Sequence, residues 1–172
     1  MRFYLEENLM DSLKIVISTY SSYLNKKDPL RTQNNNTYLK LTLVQLQHVC
    51  ELLIKKELYK IEPLLIFEKD TGAIIKIATL LKENQGKDLL EVIIDKNEKL
   101  IMTNISELIT AYFQIFTEKK EYKGYIDSIN SIRNKINHSG FFTDDIGPHL
   151  ILINKCLSFV NEVMSLEDNT LT

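Results

Sequence analysis

Arg133, Asn134 and His138 are the residues of this chain whose types and spacing best suit chemistry. An imidazole exchanges protons near neutral pH, and a guanidinium stays charged and presents a planar fork of donors to an anion. The stretch that carries them, EYKGYIDSINSIRNKINHSG over 121–140, reads as a helix. At about 100° per residue, Tyr125, Ile126, Ile129, Ile132 and Ile136 gather on one side as a buried stripe. Arg133 falls on the edge of that stripe, where a permanent charge costs stability unless something pairs with it. Asn134 and His138, four apart, share a different side, turned away from the stripe and free to meet a second molecule. Gly140 supplies the left-handed position that ends many helices. His138 therefore sits in the last turn, near free carbonyls that a positive charge meets favourably.

The elements that must position this stretch follow from composition and periodicity. A chain of 172 residues with 44% apolar side chains makes one domain with enough core to fold alone. Five Gly and three Pro leave little room for the many turns of an all-β chain. A formal charge of −2 excludes a broad basic surface that would coat nucleic acid indiscriminately, so any phosphate site must be local. Cys50 and Cys156 lie far apart in sequence, each in an apolar helical segment, with no CxxC spacing and no His at a zinc-ligand spacing. They read as reduced core thiols, and no metal or cofactor is expected. No apolar run approaches the length of a membrane span, and Glu6, Glu7 and Asp11 interrupt the region where a signal peptide would be hydrophobic. The expectation is a soluble, cytoplasmic protein.

Residues 3–24 place Leu5, Leu9, Leu13, Val16, Tyr20 and Leu24 on one face of a first helix. Residues 25–37, NKKDPLRTQNNNT, break the period and read as a loop. From Tyr38 to Ile61 the helical spacing resumes through Leu39, Leu43, Leu46, Val49, Cys50 and Leu53, and Pro63 stops it. Between Leu64 and Leu100, LLIF and LLEVII fit either a helix or a brief strand, with a short helix closing near Lys82 before Gly86. Asn104 as N-cap with Glu107 three residues on forms a capping box ahead of Leu108, Ile109, Tyr112 and Phe113. After the charged turn EKKEYK and the Arg-His helix, Gly147 and Pro148 open a last helix. Its seam is Leu150, Ile153, Leu157, Val160 and Met164. The prediction is an all-α up-and-down bundle of five or six helices over 1–165, with 166–172 as a fraying tail.

The string SIRNKINH, with four residues between Arg133 and His138, resembles the RX4-6H signature of HEPN domains. Its surroundings are similar in order: a long helix with Glu51-Leu52-Leu53-Ile54-Lys55, a TNISELITAYFQ helix, the helix ending in RNxxxH, and a final amphipathic helix. The resemblance covers about residues 38–165. It implies a HEPN-like bundle with metal-independent endoribonuclease activity in a homodimer, where Arg and His of both copies line one cleft. RNA carries its own nucleophile, the 2′-hydroxyl. On this resemblance His138 transfers the proton, Arg133 holds the phosphate and its developing charge, and Asn134 positions one or the other. Lys135, Asn137 and Lys123 are the expected substrate-binding residues, and Glu51 the carboxylate that supports Arg133. Lys119 and Lys120 extend the candidate RNA-facing patch. Anti-phage defence or a toxin role is implied by analogy alone, with a separately encoded regulator or antitoxin as a further partner. In toxins neutralised by a nucleotidyltransferase antitoxin a Tyr two residues after the His is modified; Gly140 stands there, so that route is not expected.

Bland readings stand beside each of these. Arg133 can form an intramolecular ion pair with Glu51 or another carboxylate, and His138 can be only a favourable charge at a helix end. The lysines can be an ordinary solvated face. His48 reads as a core or boundary residue and His149 as an exposed first-turn residue. A different class of function also fits: an inactive HEPN-like module that binds RNA or protein, or a structural helical subunit of a larger assembly.

Overall fold

The long apolar period that begins near Leu39 becomes the axis of the molecule. In the computed structural model seven α-helices follow one another among the described residues: α1 (Arg2–Leu24), α2 (Arg31–Ile61), α3 (Thr71–Glu83), α4 (Leu89–Asp95), α5 (Ile105–Ile115), α6 (Lys123–Ser139) and α7 (Gly147–Asp168). The structure describes residues 2–25, 31–96, 98, 100–139 and 147–168, without the side chains of 2–4, 31–36, 139 and 166–168. Helix α2 packs against α1, α5, α6 and α7, and Leu39, Leu43, Leu46, Val49, Leu53 and Leu58 along it are wholly buried. Burying each such side chain stabilises the fold by about 1.5–3 kcal/mol before conformational entropy is subtracted.

The architecture is the expected all-α bundle with a slightly higher helix count. The ambiguous stretch after Pro63 accounts for the excess. Leu64, Leu65 and Ile66 fold into a 3-10 turn over Pro63–Ile66 that ends before extended Phe67, and LLEVII folds as helix α4, capped by Asp88. Tyr59 donates to Asp88 at 3.0 Å, tying α4 to the end of α2. The strand alternative survives as a single antiparallel bridge between Phe67 and Met102, flanked by Glu68 N to Ile101 O at 2.9 Å and Thr103 N to Ile66 O at 3.0 Å. These bonds set where the chain enters α5. There Asn104 Oδ1 accepts from Glu107 N at 3.0 Å, the N-cap anticipated from sequence, while the Glu107 carboxylate takes the Asn104 side-chain amide in place of the backbone N–H of a full capping box.

The loop expected over 25–37 is shorter than that, since α2 already begins at Arg31. Extending a helix by a turn costs little once the buried part of α2 has nucleated it, so polar RTQNNNT follows its neighbour rather than its own weak propensity. The first helix matches its seam at Leu9 and Val16, but Leu24 is exposed at its end. Helix α7 buries Ile153, Cys156, Phe159, Val160 and Val163. Against it Tyr112 and Phe159 meet edge to face at 5.8 Å. Helix α7 runs to Asp168, past the expected boundary at 165, and 169–172 lie outside the described residues, as does Gly140 with the cap expected there. Cys50 and Cys156 are both buried and unbridged. A hydrogen bond with Cys156, then burial, pushes the Cys50 thiol well up, which suits an inert core position. Among the described residues no helix is long and apolar enough to cross a membrane.

Candidate functional site

Helix α6 is held by its apolar stripe. Ile126 and Ile129 are buried, and Tyr125, Ile132 and Ile136 pack partly buried against the same core. The opposite side therefore faces outward, as the 3.6-residue period demands. On it Asn134, Lys135 and His138 border an open depression of about 550 Å³. Its other end is formed by Asp127, Asn130 and Ser131 of the same helix, and Ser106 in the first turn of α5 completes the lining. One end of the α6 wall thus carries an imidazole and an ammonium, and the other carries a hydroxyl, an amide and a carboxylate. Asn134 and His138 are exposed and accessible to a bound molecule.

Arg133 is half-buried and does not line the depression itself. Its guanidinium donates from Nη1 to Asn134 Oδ1 at 3.1 Å, so the two reach the outward face as a unit. The pairing expected with Glu51 is not made. Glu51 accepts instead from Lys55 Nζ at 2.6 Å and Gln47 Nε2 at 3.2 Å, both on its own helix. Burial alone would raise this carboxyl, but Lys55, Gln47 and the nearby His48 outweigh it and hold Glu51 below the usual carboxylate range. An i,i+4 partner on the same helix is always within reach, whereas a partner on α6 depends on how two helices cross.

The remaining predicted residues divide. Lys135 lies on the wall of the depression. Lys123 is committed to Asp127 at 2.6 Å and so offsets the negative charge at the depression's far end. Asn137 is exposed but off the wall. Lys119 is not part of the exposed patch expected of it. It is 3% exposed, and its ammonium meets Glu162 Oε1 at 2.7 Å, with Tyr122 donating to Glu162 Oε2 at 2.8 Å. The 3-10 turn Thr117–Tyr122 swings it inward against α7, which the charged string EKKEYK gave no means of foreseeing. Two further corrections concern histidines. His48, expected in the core or at its boundary, is exposed, and His149 is buried rather than exposed in the first turn of α7. Helix α2 is buried on most of its circumference but not all, and at the start of α7 Gly147 and Pro148 are exposed while His149 turns inward.

The structure adds Asn130, which sequence reasoning passed over. It is 8% exposed, and its Oδ1, sealed from solvent, has no hydrogen-bond partner among the described residues. Leaving such an acceptor dry costs about 1–3 kcal/mol. The signal that would have found it is the row Asn130, Asn134, His138 at four-residue spacing on one helix face. Among the described residues no group of three His, Cys, Asp or Glu is placed to hold a metal ion. No family model, curated protein or solved structure matches the chain.

Proposed function

We propose that this chain is an endoribonuclease of the HEPN type that acts as a homodimer and cleaves RNA through the attack of a 2′-hydroxyl on the adjacent phosphorus. The observation that carries this reading is the meeting of Asn134, Lys135 and His138 on one open depression, with Arg133 bonded to Asn134 at its edge. The resemblance of SIRNKINH to the family signature supplies the reaction class.

The chemistry needs no metal, because the nucleophile is already attached to the substrate. The imidazole of His138 takes the 2′-hydroxyl proton as the O2′–P bond forms. The P–O5′ bond breaks, and the departing 5′-oxygen takes a proton from the imidazolium of the second copy, leaving a 2′,3′-cyclic phosphate and a 5′-hydroxyl. Arg133 and Lys135 hold the phosphate oxygens as charge builds on them, and Asn134 fixes the guanidinium. General acid–base transfer of this kind is worth about 10²–10⁴ in rate.

Purified protein incubated with mixed RNA in chelator tests the reading. Cyclic-phosphate ends should form, His138→Ala should lose at least about 10²-fold in rate, and single-stranded DNA should survive. Intact RNA, or a His138→Ala protein as active as the parent, would overturn it. One feature favours a binding-only module instead: Arg133 stands off the depression wall and Asp127 stands on it. RNA held without cleavage, and released by Arg133→Ala or by salt, would select that reading.

A further inference from the structure

Helix α3 turns apolar residues to solvent. Its inner side buries Ile77 and Leu80, and two of its charged residues are paired to the end of α4 and just beyond it: Lys76 with Glu98, and Glu83 with Lys96 at 3.0 Å. The outer side, Thr71, Ile74, Ile75, Ala78, Leu81 and Lys82, is exposed, where a surface helix is ordinarily polar. Thr71, Ile74, Ala78 and Leu81 recur at intervals of three, four and three, the seam spacing of paired helices. That seam is complementary to itself in one register. With two copies of α3 antiparallel about a twofold axis at the level of Lys76, Ile74 meets Ala78 of the partner subunit and Leu81 meets Thr71 of the partner subunit. Each large side chain then faces a small one, which lets the helix axes approach to about 8 Å. The same register brings Lys82 to the level of Glu68 and Asp70, the acidic entry to the partner subunit's α3. Antiparallel helix dipoles add to that attraction. A parallel pair would instead set Lys82 beside its own copy. A lipid surface fits less well, since Lys82 is the only basic residue on this side and membrane-surface helices are rich in Lys and Arg.

We propose that a second copy of this chain docks on the outer face of α3 through an antiparallel, isologous helix pair. The helix has 13 residues and is about 20 Å long, so the pair buries less than a standard interface and its dissociation constant is on the order of 10 μM. The contact uses none of the residues of the α6 site and does not rest on the ribonuclease reading.

Sedimentation velocity on the purified chain, from about 1 to 200 μM, should show a self-association step centred near about 10 μM. Ile74→Asp and Leu81→Asp should each weaken that step at least about tenfold, while the melting temperature stays within a few degrees because both side chains are exposed. Lys82→Glu should weaken it about threefold. Mixing single-cysteine chains under mild oxidation reads the register. Ile74→Cys and Ala78→Cys should cross-link to each other faster than either does to itself, and Thr79→Cys, on the flank, should not cross-link. Cys50 and Cys156 are buried and stay out of the reaction. No association over the whole range, a step unmoved by both Asp variants, or Ala78→Cys linking to itself as fast as to Ile74→Cys would overturn the pairing. A monomer that floats with neutral lipid vesicles would do the same and give the face to a membrane surface. If α6 pairs copies as well, the step reads as dimer to tetramer; a dimer that Leu81→Asp leaves unchanged, with no further step in the parent, would sink this pairing and spare the ribonuclease reading.

Discussion

Replacing Glu162 by Gln should unsettle the bundle well out of proportion to its place on a half-exposed surface. Lys119 is 3% exposed and its ammonium has Glu162 at 2.7 Å, so the substitution leaves a buried charge facing a neutral amide. Breaking a fully buried pair from one side costs about 3–5 kcal/mol. Here the Glu162 side chain is 44% exposed, and solvent screening cuts that to about 1–3 kcal/mol. For a chain of this length the melting temperature should fall by about 3–10 °C. Lys119→Met combined with Glu162→Gln removes the stranded charge and should recover part of the loss, giving a positive coupling in a double-mutant cycle. Scanning calorimetry reads all four proteins. The pH dependence sharpens the test. The Lys119 hydrogen bond first, then that of Tyr122, holds the Glu162 carboxyl below its ordinary value. Its contribution is therefore full above about pH 4.3, the unfolded carboxylate value, and is lost as pH falls through the lower folded value. Accepting by Glu162 pushes Tyr122 up to about 12. That contribution is full below about pH 10, the unfolded value, and is lost as pH rises through the folded one. Glu162→Gln should flatten both flanks. An unchanged melting temperature with unchanged flanks, or a double variant less stable than Glu162→Gln alone, would refute the reasoning.

Asn104→Ala removes the side-chain cap of α5, so urea unfolding should show a loss of about 1 kcal/mol, and Asn104→Ser should restore most of it. Tyr59→Phe deletes the hydroxyl that donates to Asp88 at 3.0 Å and accepts from Leu90 N, which should cost about 1–2 kcal/mol by the same measurement. Ile129→Ala empties a wholly buried position in the stripe that seats α6 and should cost about 2–5 kcal/mol by thermal melting. In RNA cleavage, Arg133→Lys should retain less than about a tenth of the parent rate, since a point charge cannot reproduce the donor fork. Full activity in that variant would remove Arg133 from the proposed chemistry.

What the sequence by itself determined is what local rules can carry. The seams of α1, α2 and α7, the cap at Asn104 and the stripe that turns Asn134 and His138 outward all follow from periodicity and from residues within one or two turns of each other. All-helical class followed from the same source. Tertiary structure decided the rest. Whether 64–100 held strands or short helices turned on Pro63, Asp88 and a single bridge to Met102, and apolar runs of that length have no period of their own. Lys119 lies in a charged string yet is buried, because its partner Glu162 is 43 positions further on. His48 and His149 exchanged expectations, since exposure depends on which neighbour covers a helix face rather than on the face itself. The row Asn130, Asn134, His138 is visible along the chain, but the burial of Asn130 is not. Burial and long-range pairing are sums over residues distant in sequence, and no window along the chain contains them.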